Sequence, residues 1–226
     1  MAPLEDKPDN ANLAQRAISA VVLAAVTLAA VSWGTPVFDW LIAVGALILA
    51  WEWHRLCAGR IAWLAGGLVI IVVPSWALLY LRADSVAGTE TLFWLLAVVW
   101  AADTGAYAFG HWIGGPKMSP MISPMKTWSG LIGGVGSAGV VGIITAMVLE
   151  KQGFLGLSGW SAAIGGVSQA GDLGESWVKR HFGVKDTSGI IPGHGGLFDR
   201  VDGLLAAAVA VAGIALIGKG SLLTWM

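Results

Sequence analysis

Thr127–Leu149 reads TWSGLIGGVGSAGVVGIITAMVL and carries no charge between Lys126 and Glu150. A helix that crosses a bilayer needs roughly 20 consecutive, mostly apolar residues, so this stretch alone argues for a membrane fold. Working outward, three more windows between charged residues reach that length: Ala17–Phe38, Ile61–Leu81 and Gln152–Gly171. Three others carry charges inside or at an end: Val37–Trp53 with Asp39 and Glu52, Thr91–Gly110 with Asp103, and Val201–Gly218 with Asp202. The expected architecture is an all-α, polytopic integral membrane bundle of about seven transmembrane helices.

Composition agrees. Of the 226 residues 56% are hydrophobic and 12% charged, with a mean hydropathy of +0.74, whereas soluble domains run about 25% charged. A water-soluble globule is excluded. A net charge of -1 removes the broad basic surface of a nucleic-acid binder. The single cysteine, Cys57, excludes an internal disulfide and a cysteine-based zinc site. The opening segment MAPLEDKPDN is acidic rather than basic, which favours a retained first helix over a cleaved signal peptide. Residues 1–12 read as a short disordered tail, and no repeat or linker divides residues 1–226, so one domain is expected.

Seven spans with a cytoplasmic N-terminus place ten cationic residues inside (Lys7, Arg16, Arg55, Arg60, Lys117, Lys126, Lys179, Arg180, Lys185, Arg200) and three outside (Arg82, Lys151, Lys219). That asymmetry obeys the positive-inside rule. It puts the two longest polar connections, His111–Ser129 and Lys179–Arg200, on the cytoplasmic side. The five glycines between Gly130 and Gly139 read as small residues that let helices pack closely, rather than as a phosphate cradle.

The chemistry gathers in residues 171–202, GDLGESWVKRHFGVKDTSGIIPGHGGLFDRVD. If the sixth helix continues to Arg180, then Asp172, Ser176 and Lys179 at i, i+4 and i+7 share a face. Asp199 and Asp202 at i, i+3 share another at the start of the seventh, with Arg200 between them. Three carboxylates and a hydroxyl form a hard, oxygen-rich donor set suited to magnesium rather than zinc or copper. Pro192 ends any helix, and Gly193, Gly195 and Gly196 permit positive φ beside His194. Lys179, Arg180, Lys185 and Arg200 interleave with the acids, which suits a metal holding phosphates more than simple ion pairing. Asp103, ionisable inside an apolar span, is a functional candidate by position. Ser123, Lys126 and Thr127 follow in the second polar connection. Glu52 reads as a boundary anchor between Trp51 and Trp53.

With these residues in view the chain resembles the phosphatidate cytidylyltransferases, also called CDP-diglyceride synthases. Ser176, Lys179, Arg180, Lys185, Asp186, Pro192, His194, Gly195, Gly196, Asp199, Arg200 and Asp202 stand at the spacing of the family's C-terminal signature. Asp103 to Tyr107 is similar to its upstream acidic motif. Ser123, Pro124, Lys126, Thr127, Trp128 and Gly130 are similar to its middle motif, and QRAISAVVL from Gln15 and the WEW at 51–53 to its openings. Ser129 and Met125 stand where the family usually carries Glu and a second Lys. The chain is also shorter than many members, which suggests one or two spans fewer before Asp103.

The resemblance implies a nucleotidyltransferase with cytoplasmic catalytic loops that moves CMP from CTP to phosphatidic acid, releasing pyrophosphate and leaving CDP-diacylglycerol. It implies Asp172, Ser176, Asp199 and Asp202 at Mg2+, with a second, monovalent K+ nearby. Lys179, Arg180, Lys126 and Asp103 are the expected catalytic residues. Ser123, Thr127, Lys185, Asp186, His194, Gly195, Gly196 and Arg200 are the expected substrate contacts. The expected setting is the lipid bilayer of a bacterial inner membrane, as a homodimer, with no nucleic-acid partner. A CTP-dependent isoprenoid-alcohol kinase and a non-enzymatic anion transporter are the alternatives; charge gathered at one end of the spans argues against a conduit.

Overall fold

The computed structural model describes residues 10–193 and 195–225. Seven long helices run in chain order: α1 Asn10–Trp33, α2 Val37–Cys57, α3 Ile61–Arg82, α4 Gly88–Trp112, α5 Trp128–Val148, α6 Phe154–His181 and α7 Phe198–Gly218. A two-stranded antiparallel hairpin, β1 Lys117–Ser119 and β2 Ser123–Thr127, joins α4 to α5, and a 3-10 turn at Leu222–Thr224 closes the described chain. Five helices, α2, α3, α4, α5 and α7, are long and apolar enough to cross a membrane, and α1 carries a shorter apolar stretch, Ala17–Trp33. The protein is an all-α membrane bundle.

Local chemistry sets the helix ends, and in places it corrects the charge-bounded windows. α1 stops at Trp33 rather than Phe38 because Gly34 turns with φ 74° and Pro36 precedes α2. Residues 10–12, expected in a tail, already belong to α1, and residues 1–9 lie outside the described part. α2 ends where Ala58 and Gly59 take φ 47° and 77°. Thr127 starts α5 by accepting a hydrogen bond from the Gly130 amide at 3.1 Å, a side-chain cap on an otherwise unpaired donor. The hairpin was not expected: its two prolines and short strands give no alternating apolar signal.

Lipid tails are as apolar as leucine, so helices in a bilayer associate through close packing rather than through the hydrophobic effect. The glycines of α5 serve this purpose. A Cβ on Gly134 would lie 2.6 Å from the Ala102 carbonyl oxygen of α4, and one on Gly142 would lie 2.6 Å from the Leu157 carbonyl oxygen of α6. The three backbones therefore form a tight slab. Leu95, Val98 and Ala102 of α4 and Ala207, Ala208 and Val211 of α7 are fully buried in its core, where Trp94 Nε1 donates to Ser161 Oγ at 2.8 Å. Alternation of the helices brings the C-terminal ends of α2, α4 and α6, the N-terminal ends of α5 and α7, the hairpin and the described loop residues 182–193 and 195–197 to one end of the bundle.

Candidate active site

α6 positions the acids. Its Asp172 and Glu175 are three residues apart and share a face, which meets Asp202 near the start of α7. One carboxylate oxygen from each of Asp172, Glu175 and Asp202 falls within 4.8 Å of the others. Asp172 is held by Lys126 of β2, whose Nζ lies 2.6 Å from Oδ2 and 3.4 Å from the Gln169 carbonyl oxygen. Ser176 Oγ donates to Asp172 Oδ1 at a long 3.4 Å. Asp202 Oδ1 accepts from the adjacent Gly203 amide at 2.7 Å. Glu175 is buried, and neither of its oxygens accepts a well-formed hydrogen bond; its charge is met by Lys179 Nζ at 2.7 Å.

Three converging carboxylates, one of them buried with Oε1 unpartnered and Oε2 met by the Lys179 ammonium, match the donor set of a hard divalent cation. The two lysine pairs leave Glu175 Oε1 without a partner, and an unsatisfied buried carboxylate oxygen is costly unless a ligand takes it. On chemistry and on this orphaned acceptor the residues fit magnesium.

Asp103 extends the site from α4. It accepts from Gln169 Nε2 at 2.8 Å, and Gln169, itself buried, thereby couples Asp103 to the Lys126–Asp172 pair. Alongside runs a cavity of about 530 Å3, with Glu175 and Asp202 in its lining and otherwise mostly apolar walls from α3, α6 and α7, including Val73, Pro74, Trp177 and Leu205.

The other expected residues divide. Asp199 is not one of the three grouped acids but borders Glu175, with which it shares Lys179. Its Oδ1 accepts from Lys179 Nζ at 2.7 Å; its Oδ2 accepts from the Gly196 amide at 2.8 Å, the Thr187 amide at 3.0 Å and Thr187 Oγ1 at 3.1 Å. Lys179 thus bridges Asp199 and Glu175. Arg180 is exposed and donates from Nε to the Ile122 carbonyl at 3.2 Å, tying α6 to the hairpin. Thr127 is buried as the α5 cap, while Ser123 is half-buried at the start of β2. Lys185, Asp186 and Arg200 are exposed around the loop. Gly195 has φ 82°, and a Cβ on Gly196 would lie 2.6 Å from Glu52 Oε1. His194 lies outside the described residues.

Three residues of this end escaped the sequence reading. Glu175 is three positions from Asp172 and one from Ser176, so the helical-face argument could have included it. Gln169 gives no signal without its partners. Glu52 is not a boundary anchor: it is 1% exposed and is bound to the 187–198 segment.

The fold and site together define a multi-pass membrane protein with a carboxylate-centred polar site at one end of its bundle. The sequence model of the Cytidylyltransferase family matches residues 59–217, and the chain belongs to that family. Among curated proteins it is similar to the phosphatidate cytidylyltransferase of Brucella suis biovar 1 (strain 1330), 45% identical over 168 residues, 74% of this chain and 61% of that protein. It is also similar to those of Rickettsia bellii (strain RML369-C), 35% identical over 204 residues, 87% of this chain and 88% of that protein, and Rickettsia typhi (strain ATCC VR-144 / Wilmington), 32% identical over 213 residues, 91% and 93%. The match thus spans less than two thirds of the Brucella protein's length but nearly all of the Rickettsia proteins.

Proposed function

We propose that the chain is a phosphatidate cytidylyltransferase of phospholipid biosynthesis, transferring CMP from CTP to phosphatidic acid to give CDP-diacylglycerol and pyrophosphate. The observation that carries this reading is the Asp172–Glu175–Asp202 cluster, two of whose acids line a cavity with mostly apolar walls. Such a place admits a molecule that is polyanionic at one end and hydrocarbon at the other. The names of the relatives support the same substrates.

In the reaction a phosphate oxygen of phosphatidic acid attacks the α-phosphorus of CTP. The bond from that phosphorus to the bridging oxygen breaks, and pyrophosphate departs with the electron pair. A phosphomonoester, with a second pKa near ~6, is largely dianionic at neutral pH, so no general base is required. What remains is to bring two polyanions together in line. Asp172, Glu175 and Asp202, with the Ser176 hydroxyl beside Asp172, would hold Mg2+, which when bound supplies charge neutralisation on phosphate oxygens. Lys126 orients Asp172, and Asp103 with Gln169 steadies that pair. Lys179 fixes Glu175 and Asp199 relative to each other, and the exposed Arg180, Lys185 and Arg200 offer cationic groups to CTP. A monovalent K+ close by, a homodimeric assembly, and a bacterial inner membrane with N-terminus and site facing the cytoplasm complete the reading.

The test is incubation of the purified protein in detergent with radiolabelled CTP, phosphatidic acid and magnesium. Label in the extracted lipid with release of pyrophosphate is the expected outcome. Release of CDP with an isoprenoid alcohol as acceptor would instead establish the kinase, and absence of turnover with either acceptor would end the enzymatic reading.

A further inference from the structure

Glu52 is a carboxylate that the proposed chemistry does not use. It lies near the C-terminal end of α2, outside the residues 59–217 matched by the family, and its side chain is buried. Both oxygens are engaged: Oε1 accepts from Ser188 Oγ at 2.6 Å and the Leu197 amide at 2.8 Å, and Oε2 from the Phe198 amide at 2.8 Å and Thr187 Oγ1 at 3.4 Å. Among the described residues it forms no ion pair. Its charge is met instead by hydroxyls and by the unpaired amides at the start of α7, the positive end of that helix.

The Thr187 hydroxyl shares its single proton between Glu52 Oε2 and the nearer Asp199 Oδ2 at 3.1 Å, Asp199 accepts from Lys179, and Lys179 pairs with Glu175. A continuous polar chain therefore runs from α2, through the loop, into the acid cluster on α6 and α7. Gly196 completes the fit, since a side chain there would collide with Glu52 Oε1 and Thr187 Oγ1.

We propose that Glu52 is a positioning residue: from α2 it clamps Thr187, Ser188 and Leu197 onto the start of α7, and so fixes Asp199 and Lys179 where they hold Glu175 in the cluster. Its place in catalysis rests on the transferase reading above. The clamp itself does not.

The experiment compares wild type, Glu52→Gln and Glu52→Asp. Glu52→Gln keeps the volume but turns a donor toward donors. Amide hydrogen exchange, measured without substrate, should rise by about tenfold or more across residues 187–198 and stay unchanged in α5. The kcat for cytidylyl transfer should fall by about 10- to 100-fold with KM for CTP within about threefold, as for loss of an outer-shell support. Glu52→Asp, which keeps the charge on a shorter arm, should fall between. Unchanged exchange in 187–198, or a folded Glu52→Gln protein with wild-type kcat, overturns the proposal. If Glu52→Gln does not accumulate, Ser188→Ala removes one of the four donors, and the same two readings decide at smaller amplitude. A wild-type protein inert toward CTP and phosphatidic acid would defeat the transferase reading, while exchange in 187–198 would still decide the clamp.

Discussion

Two sets of carboxylates stand at the same end of this bundle and are treated in opposite ways. Asp199 and Glu52 have their oxygens occupied by backbone amides, hydroxyls and one ammonium. Glu175 has Oε2 paired with Lys179 but Oε1 without a partner, and Asp202 accepts from its own neighbouring amide. An ionised carboxylate has about four acceptor positions. Where the protein fills them the acid joins segments of chain; where it leaves them open the acid is free to take a ligand. Proximity in sequence does not separate the two kinds, since Asp199 and Asp202 are three residues apart and belong to different sets.

The sharpest way to break the contrast is Asp202→Asn. It removes charge from the open set and disturbs little packing. Cytidylyl transfer should fall by roughly 100- to 1000-fold, and residual activity should need more magnesium, with detergent-solubilised yield and melting temperature near wild type. An unstable protein with a normal magnesium titration would place Asp202 among the structural acids. Next in size is Lys126→Ala, which frees Asp172 from its 2.6 Å partner. Activity should drop by about 10- to 100-fold, again with folding preserved, and wild-type turnover would reduce Lys126 to a membrane-face anchor.

Asp199→Asn should show the opposite balance. Asp199 and Lys179 are 4% and 13% exposed at their side chains, so removing the charge should cost about 2 kcal/mol of stability, with Glu175 still pairing the ammonium. The melting temperature should fall while the magnesium requirement of the surviving protein shifts less than in Asp202→Asn.

The smallest effect belongs to the far end. Asp84, between α3 and α4, accepts from the Ala87 and Val86 amides at 2.9 Å each, and these bonds hold its carboxyl below the usual carboxylate range. Its contribution is present above the unfolded value of about 3.9 and fades as pH falls through the lowered folded value. Asp84→Ala should therefore lower the melting temperature slightly near neutrality, and the difference should close below about pH 4. A gap that persists in acid would assign the effect to packing.

Much of this was legible beforehand, for identifiable reasons. Uncharged windows located α3 and α5, which are long and apolar enough to span, whereas α6, expected to span at Gln152–Gly171, is not among the five such helices of the described residues. Helical spacing put Asp172, Ser176 and Lys179 on one face. Asp199 was harder. Its grouping with Asp202 follows from spacing, but the amides of Thr187 and Gly196 in the preceding loop and the Lys179 ammonium draw it the other way. Glu52 was misjudged because its donors lie 135 to 146 residues further along the chain, and no local pattern reports a contact of that range. The hairpin escaped because its register depends on neighbours rather than on its own composition.

The separation between Glu52 and α7 also has a consequence for how the protein is made. If helices enter the membrane in the order of synthesis, α2 arrives with an acid near one end whose amide partners lie 145 and 146 residues downstream. At cellular elongation rates that interval is on the order of 10 s, during which a carboxylate in an apolar helix has every reason to stay at the membrane surface. α7, inserted well after α2, is then the helix that lets α2 settle. A chain stalled before Phe198 would carry an unsatisfied acid in its second helix, a physical mark by which an unfinished protein differs from a finished one.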